Sequence, residues 1–212
     1  MNALPTVRRD VRTGATVALA GLLVLVIAGL LARNGRVGPA ERRVFDAING
    51  LPDWLYRPLW IFQQFGNLVV ALLVVLVVAA VLRRWELAAA GVVAVLAKLS
   101  LERVVKSVVE RSRPGTTVPD AILRGEVSAG GLSFVSGHAT ITVAMATALS
   151  AVVPRRWLIP IWLVVVLNGL TRIYVGAHNP LDIVGGTGLG LVIGGPLYAW
   201  LATPDAAEAS SV

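Results

Sequence analysis

The chain of 212 residues has no cysteine and little charge: 15% of its residues are charged and 56% are hydrophobic. Without cysteine there can be no disulfide and no thiolate metal site, and nothing marks a redox compartment. A soluble domain carries charge on about a quarter of its residues, so the deficit excludes an ordinary water-facing surface. Carboxylates are sparse and scattered, and there are two histidines. That leaves no cluster suited to a catalytic metal pair, and no metal or other cofactor is expected.

In place of charge there are long apolar runs. About 20 apolar residues cross a bilayer as a helix. Six stretches approach that length: Thr16–Ala32, Leu59–Leu82, Trp85–Val105, Ser136–Val153, Leu158–Val175 and Leu181–Leu201. The expected fold class is all-α: a polytopic membrane protein with six transmembrane helices in a single domain over 16–202. Residues 1–15 form a basic N-terminal segment with Arg8, Arg9 and Arg12. The run after it is long enough to span and lacks a small-residue cleavage site, so it reads as a first membrane helix. The tail 203–212 is small and polar and is expected to be disordered. Between the first two runs, Gly38–Gly50 has Pro39 where a helix would start and Val44, Phe45 and Ile48 on one side. It reads as a short amphipathic helix on the membrane surface, with a solvated connector as the alternative.

The net charge of +7 is spread over segment ends. A nucleic-acid surface would gather it on one face, so no nucleic-acid partner is expected. The basic N-terminus, Arg83-Arg84 and Arg155-Arg156 share a face if the helices alternate. The excess of positive charge on cytoplasmic loops then places both termini inside, against the opposing arginines 33, 36, 42, 43 and 57 of the first loop. Whatever the orientation, alternation brings four ends to one face: the end of the third stretch, the start of the fourth, the end of the fifth and the start of the sixth. With the termini inside, that face is extracytoplasmic.

Three polar stretches fall on those four ends. In Lys106–Pro114, Lys106, Arg111 and Arg113 gather charge that suits a multiply charged anion, and that would equally anchor a helix at the interface. Lys98, Glu102 and Lys106 follow at intervals of four, which suits an ion ladder; of these, Lys106 is assigned to function. In Phe134–His138, Ser136 stands as an N-cap, Gly137 opens the backbone, and the free N–H groups of the helix start form an anion site. His138 lies in that first turn; alone it would be read as a packing or capping residue. In Thr171–Asp182, Arg172 ends a helix, and Asn179-Pro180 reads as an N-cap and a first-turn proline. Asp182 then falls near N3. From there it can cap the helix, or accept from a ring N–H of His178 and leave the other nitrogen free to attack. Gly186, Gly190 and Gly194 form a small-residue face for a neighbouring helix, within the fold or between copies. Asn168 reads as a helix–helix hydrogen bond. The run GGTGLG is no dinucleotide fingerprint, because no strand precedes it.

Lys106-SVVERS-Arg113-Pro114, Ser136-Gly137-His138 and Arg172-IYVGA-His178-NPL-Asp182 resemble, in residue type, spacing and order, the three signature motifs of the type 2 phosphatidic acid phosphatase (PAP2) superfamily. That superfamily holds membrane lipid phosphate phosphatases together with soluble vanadium haloperoxidases and acid phosphatases. By motif the resemblance covers roughly Lys98–Gly190. Two positions depart from it: Val135, where the family usually has Pro, and Thr171, where it often has Ser. The first bears on loop stiffness, and the second keeps a hydroxyl.

The resemblance implies a metal-independent phosphatase acting on a lipid phosphate or diphosphate at the extracytoplasmic face. The substrate class is polyprenyl diphosphate, phosphatidate or phosphatidylglycerol phosphate. It implies that His178 attacks phosphorus to form a phosphohistidine, with Asp182 as its partner. His138 would protonate the leaving oxygen and then activate water. Lys106, Arg113 and Arg172, with the backbone at Ser136 and Gly137, would hold the phosphoryl oxygens. The expected partners are the lipid phosphate substrate and the bilayer; the oligomeric state is open. Two other uses of the site stay open: transfer of the phosphoryl group to an acceptor alcohol, and binding or flipping of a lipid phosphate without turnover. Binding alone, however, does not require two histidines and an orienting aspartate.

Overall fold

The structure is a computed structural model that describes residues 11–202. The expectations for Arg8, Arg9 and the tail 203–212 lie outside the described residues. The described residues form an all-α bundle: α1 Val11–Ala32, α2 Pro39–Asn49, α3 Tyr56–Gln64, α4 Leu68–Leu82, α5 Trp85–Val109, α6 Pro114–Thr117, α7 Gly137–Leu149, α8 Leu158–Tyr174 and α9 Pro180–Ala202. Among them there is no strand, only an isolated bridge between Ser112 and Leu132.

α7 is the centre. Every residue from Ala139 to Leu149 is buried, and α4, α5, α8 and α9 pack around it. Its hydroxyls are satisfied along the helix: Thr140 donates to Ser136 O at 2.9 Å, Thr142 to His138 O at 2.7 Å and Thr147 to Val143 O at 2.8 Å. Such back-bonding lets polar side chains sit in an apolar interior. α1 lies against α9, and its outward leucines and valines are widely exposed. That is the composition of a lipid-facing surface.

Among the described residues, three helices are long and apolar enough to cross a membrane: Arg12–Ala32, Arg155–Tyr174 and Pro180–Ala202. A fourth crossing exists if the pair Asp53–Gln64 and Leu68–Leu82, bent by 58°, counts as one. The other two expected spans do not meet that description. α5 is long, but Lys98, Glu102, Arg103 and Lys106 load its second half with charge. α7 has 13 residues, about 20 Å at 1.5 Å per residue, and its neighbours rather than its own length shield it from lipid.

One further expectation is corrected. Leu59–Leu82 is not one helix: the chain breaks between Gln64 and Leu68, where Asn67 caps α4 by accepting from Val69 N–H at 2.9 Å. The carbonyls of Phe62 and Gln63, which accept turn bonds from Phe65 and Gly66 N–H, also accept from the Asn168 side-chain amide at 2.9 and 3.3 Å, so Asn168 does bond between helices. Gly38–Gly50 does contain a helix: buried Phe45 packs against Val118 and Ile173, while Val44 is 47% exposed.

The glycine face of α9 is used within the chain. Gly186, Gly190 and Gly194 face α7, and a Cβ at Gly190 would lie 2.6 Å from Val143 Cβ and 2.7 Å from Thr140 O. The backbone oxygen cannot move aside without shifting α7. Gly190→Val is therefore expected to destabilise the fold by about 1–3 kcal/mol, the usual cost of overpacking. Thermal unfolding in detergent checks this against Gly130→Ala, where an added Cβ meets nothing within 4 Å and no loss is expected.

Candidate active site

The end of α5, the start of α7, the end of α8 and the start of α9 meet at one end of the bundle. Ser133 N–H donates to Arg111 O at 2.7 Å and Ser136 N–H to Asp182 O at 2.9 Å. All three polar stretches foreseen in the sequence are thereby joined.

The spacing from Arg172 to Asp182 follows from two local motifs. α8 closes with Gly176 in the left-handed region at φ 75°. Gly176 N–H donates to Ile173 O at 2.9 Å and Ala177 N–H to Arg172 O at 3.0 Å. These are the two bonds of a Schellman turn. The turn swings the chain back, so that His178 N–H also reaches Arg172 O, at 3.2 Å. α9 then starts at Pro180, with Asn179 at the N-cap position. Asp182, at N3, accepts from Asn179 N–H at 2.7 Å, the reach-back half of a capping box. The Asn179 side chain does not cap: its amide donates to Thr117 Oγ1 at 3.1 Å. Glu41 Oε1 of α2 takes the Leu181 N–H instead, at 2.9 Å.

His178 Nδ1 lies 3.7 Å from Asp182 Oδ2. That is within reach of the charge but beyond hydrogen-bond length, because Oδ2 is already taken by the backbone. His178 Nδ1 has no hydrogen-bond partner. Burial pushes the His178 imidazole down to about 4, with Arg172 and Arg113 acting in the same direction and Asp182 against them. At neutral pH the ring is uncharged, the state that can attack.

His138 is the second residue of α7, packed on the α3–α4 break. A Cβ at Gly66 would lie 2.6 Å from His138 Cδ2 and 2.8 Å from Asn168 Nδ2, so only glycine lets the backbone pass. The charges of Arg172, Arg113 and Lys98 all reach His138, as does His178. Ser136 stands at the N-cap position of α7, but its side chain makes no capping bond; Oγ is buried without a partner. A Cβ at Gly137 would lie 2.7 Å from Glu102 Oε2, so a side chain there would push on a carboxylate that Lys98 and Lys106 hold.

The cations differ in how they are held. Glu102 binds both Lys98 and Lys106 at 2.6 Å, so the ion ladder read from the spacing forms. Lys106 belongs to it and is held beside the α7 N-terminus. Arg172 Nη1 donates to Gln63 Oε1 at 2.9 Å, while its Nε is buried and unpartnered. The Arg113 side chain has no hydrogen-bond or ion-pair partner among the described residues, and its charge acts on Arg172 and both histidines. Arg111 is turned away from the other cations: it is fully buried, pairs with Glu41 at 2.7 Å, and donates to Asp182 Oδ1 at 3.2 Å. Among the described residues, no three His, Asp or Glu side chains gather where they could hold a metal ion.

Sequence reasoning missed Glu41 and Gln63. Both act across the fold, on Asp182 through Arg111 and on Arg172 directly. Only the Gly66-Asn67 pair, a helix stop followed by an N-cap, hinted that Gln63 ends a helix near the site.

The fold is that of solved membrane phosphatases. A transmembrane PAP2-type phosphatidylglycerolphosphate phosphatase from Bacillus subtilis superposes with a TM-score of 0.69 at 22% identity, covering 84% of this chain and 92% of that one. Aquifex aeolicus LpxE superposes with a TM-score of 0.64 at 24% identity, covering 72% and 90%. In sequence, a lipid A 4'-phosphatase from Porphyromonas gingivalis is 36% identical over 70 residues, 32% of this chain and 30% of that protein. The match thus spans under a third of that relative's length. Residues 85–205, more than half of the chain and including all three motifs, match the PAP2 superfamily model, and this integral membrane protein belongs to the PAP2 superfamily.

Proposed function

We propose that the chain hydrolyses a lipid phosphate or diphosphate through a phosphohistidine, without a metal, at the extracytoplasmic end of a six-pass bundle with both termini inside. The observation that carries this reading is the set of buried polar atoms without partners. Five occur among the described residues, and two of them, Ser136 Oγ and Arg172 Nε, belong to residues assigned to the phosphoryl group. An unpaired buried donor costs about 1–3 kcal/mol, so these two suit an anion that completes them. In the six-pass reading α5 and α7 also cross, their charges and short length being covered by neighbouring helices.

Nδ1 of His178 faces Asp182, which leaves Nε2 to attack. The Nε2–P bond forms as the P–O bond to the lipid breaks, and His138 gives its proton to the departing oxygen. A bound phosphate dianion favours the protonated His138 that this step needs. Water then attacks phosphorus with His138 as base, the P–N bond breaks, and inorganic phosphate leaves. Lys106, Arg113 and Arg172, with the N–H groups opening α7, offset charge on the phosphoryl oxygens as it grows. An apolar cavity of about 110 Å³ lined by Phe65, Thr142, Met145 and Val165, among others, suits the lipid's hydrocarbon. Phe65 precedes Gly66, which packs on His138.

Purified protein is expected to release phosphate from at least one of phosphatidate, phosphatidylglycerol phosphate or a polyprenyl diphosphate, with EDTA present. His178→Ala is expected to abolish release in a protein that unfolds at the wild-type temperature. Silence across the panel, or turnover in His178→Ala, would overturn the reading; a phosphorylated alcohol in place of free phosphate would assign the chain to transfer.

The pH dependence follows from His178. Its neutral form attacks, and burial lowers its protonation to about 4. Phosphoenzyme formation in the free enzyme, corrected for substrate ionisation, should therefore hold through pH 6 and fall only as pH drops towards 4. An acid limb near the ordinary histidine value of about 6.5, with the rate falling as pH drops through it, would contradict it.

Val165→Phe fills the apolar cavity. It is expected to lower kcat/KM for a long-chain lipid phosphate by roughly tenfold, the loss of about two buried methylenes, and to leave a water-soluble phosphomonoester unaffected. Parallel rates on the two substrates measure it.

A further inference from the structure

We propose that Glu41 of α2 is a positioning residue for this reaction: it neutralises Arg111, so that the charge of Asp182 remains directed at His178. The inference rests on the reading of His178 as nucleophile. Glu41 lies outside the matched residues 85–205 and outside all three motifs.

The geometry is a buried chain of alternating charge. Glu41 Oε2 accepts from Arg111 Nη2 at 2.7 Å, and Oε1 accepts from Nη1 at 3.0 Å. The same Nη1 donates to Asp182 Oδ1 at 3.2 Å, and Nη2 donates to Arg36 O at 3.1 Å. Side-chain exposure is 8% for Glu41 and zero for Arg111 and Asp182. Charges in such surroundings are poorly screened. Two carboxylates and one guanidinium leave a net charge of −1 beside His178.

That surplus is what the chemistry consumes. As His178 takes the phosphoryl group its ring becomes cationic, and a neighbouring carboxylate stabilises it. If Arg111 had Asp182 as its only carboxylate, the pair would be neutral and the field at His178 would largely cancel. Glu41 holds Arg111 by two bonds, both shorter than the contact of Arg111 with Asp182. Its Oε1 also accepts the Leu181 N–H at 2.9 Å, which fixes the turn of α9 on which Asp182 stands. A plain tether for α2 would need the second contact and not the charge.

Glu41→Gln and Glu41→Asp separate the two roles. Gln keeps the length and can still accept from Leu181 N–H, but removes the charge. Asp keeps the charge and shortens the reach. With dioctanoyl phosphatidate in micelles, Glu41→Gln is expected to lower kcat about tenfold to a hundredfold, the range seen when outer-shell partners of metal ligands are removed. Its KM should stay within about twofold, because the phosphate-holding cations are untouched. Glu41→Asp is expected to keep more of kcat than Glu41→Gln. The reverse order, or a folded Glu41→Gln with wild-type kcat, overturns the proposal.

A second readout does not depend on turnover. The chain has two histidines, so 15N-histidine labelling gives two imidazoles, assigned by His138→Ala. Glu41→Gln is expected to move the His178 ring resonances and leave those of His138 in place; unmoved His178 resonances overturn the proposal even where wild-type protein releases no phosphate. If Glu41→Gln does not fold, Glu41→Asp decides. A kcat within about threefold of wild type, with His178 resonances in place, supports the proposal, and a greater loss in folded protein overturns it.

Discussion

A guanidinium with no exposed surface is the constraint from which the rest of the site follows. Arg111 cannot shed its proton, and an unpaired buried charge costs several kcal/mol. Whatever neutralises it is therefore fixed in place. Two carboxylates do so, one from α2 and one from α9. Because Arg111 sits two residues before Arg113, the same loop that is anchored by the first guanidinium presents the second to the histidines. Because Asp182 is also the N3 residue of α9, anchoring it fixes where that helix begins. The position of His178, four residues earlier, is then set by the Schellman turn and the capping box on either side of it.

The apolar body supports this end in a different way. α7 is enclosed by α4, α5, α8 and α9, and its first turn, with His138, is held by that packing together with the bond from Ser136 N–H to Asp182 O. The α3–α4 break brings Gly66 against His138 and sends Gln63 to Arg172. A straight span through that region would have carried its backbone past the site without offering either. At the break the carbonyls of Phe62 and Gln63 keep only short turn bonds from Phe65 and Gly66, and Asn168 gives each a second donor. One polar residue in α8 thus serves a kink in a different helix.

What was legible in the sequence was local. The spacing Arg172-x5-His178-x3-Asp182 is the covalent length of one helix end, one turn and one helix start. The apolar runs gave the ends of α8 and α9 to within a residue. The break at Phe65–Asn67 was hidden because the unbroken apolar run after it dominated, although Gly66-Asn67 is a stop and a cap. Glu41 and Gln63 were invisible: nothing near either of them in sequence reveals a guanidinium that is distant along the chain and adjacent in space. The free hydroxyl of Ser136 was missed because N-cap statistics describe helix starts that face water or loop, and this one faces a site.

The opposing signs around His178 argue for an order of events. Arg113 and Arg172 disfavour a cationic ring, and burial does so more strongly, so the imidazole is held neutral. On the proposed reading the same cations attract a phosphate dianion, whose arrival cancels their field. Asp182 is then left as the dominant charge at short range, and it favours the cationic ring that phosphoryl transfer produces. On the proposed reading, substrate binding itself reverses the electrostatic preference at the nucleophile. That reversal needs Asp182 to be undiminished by its own partner, Arg111, which is why a carboxylate outside the three motifs bears on the chemistry within them.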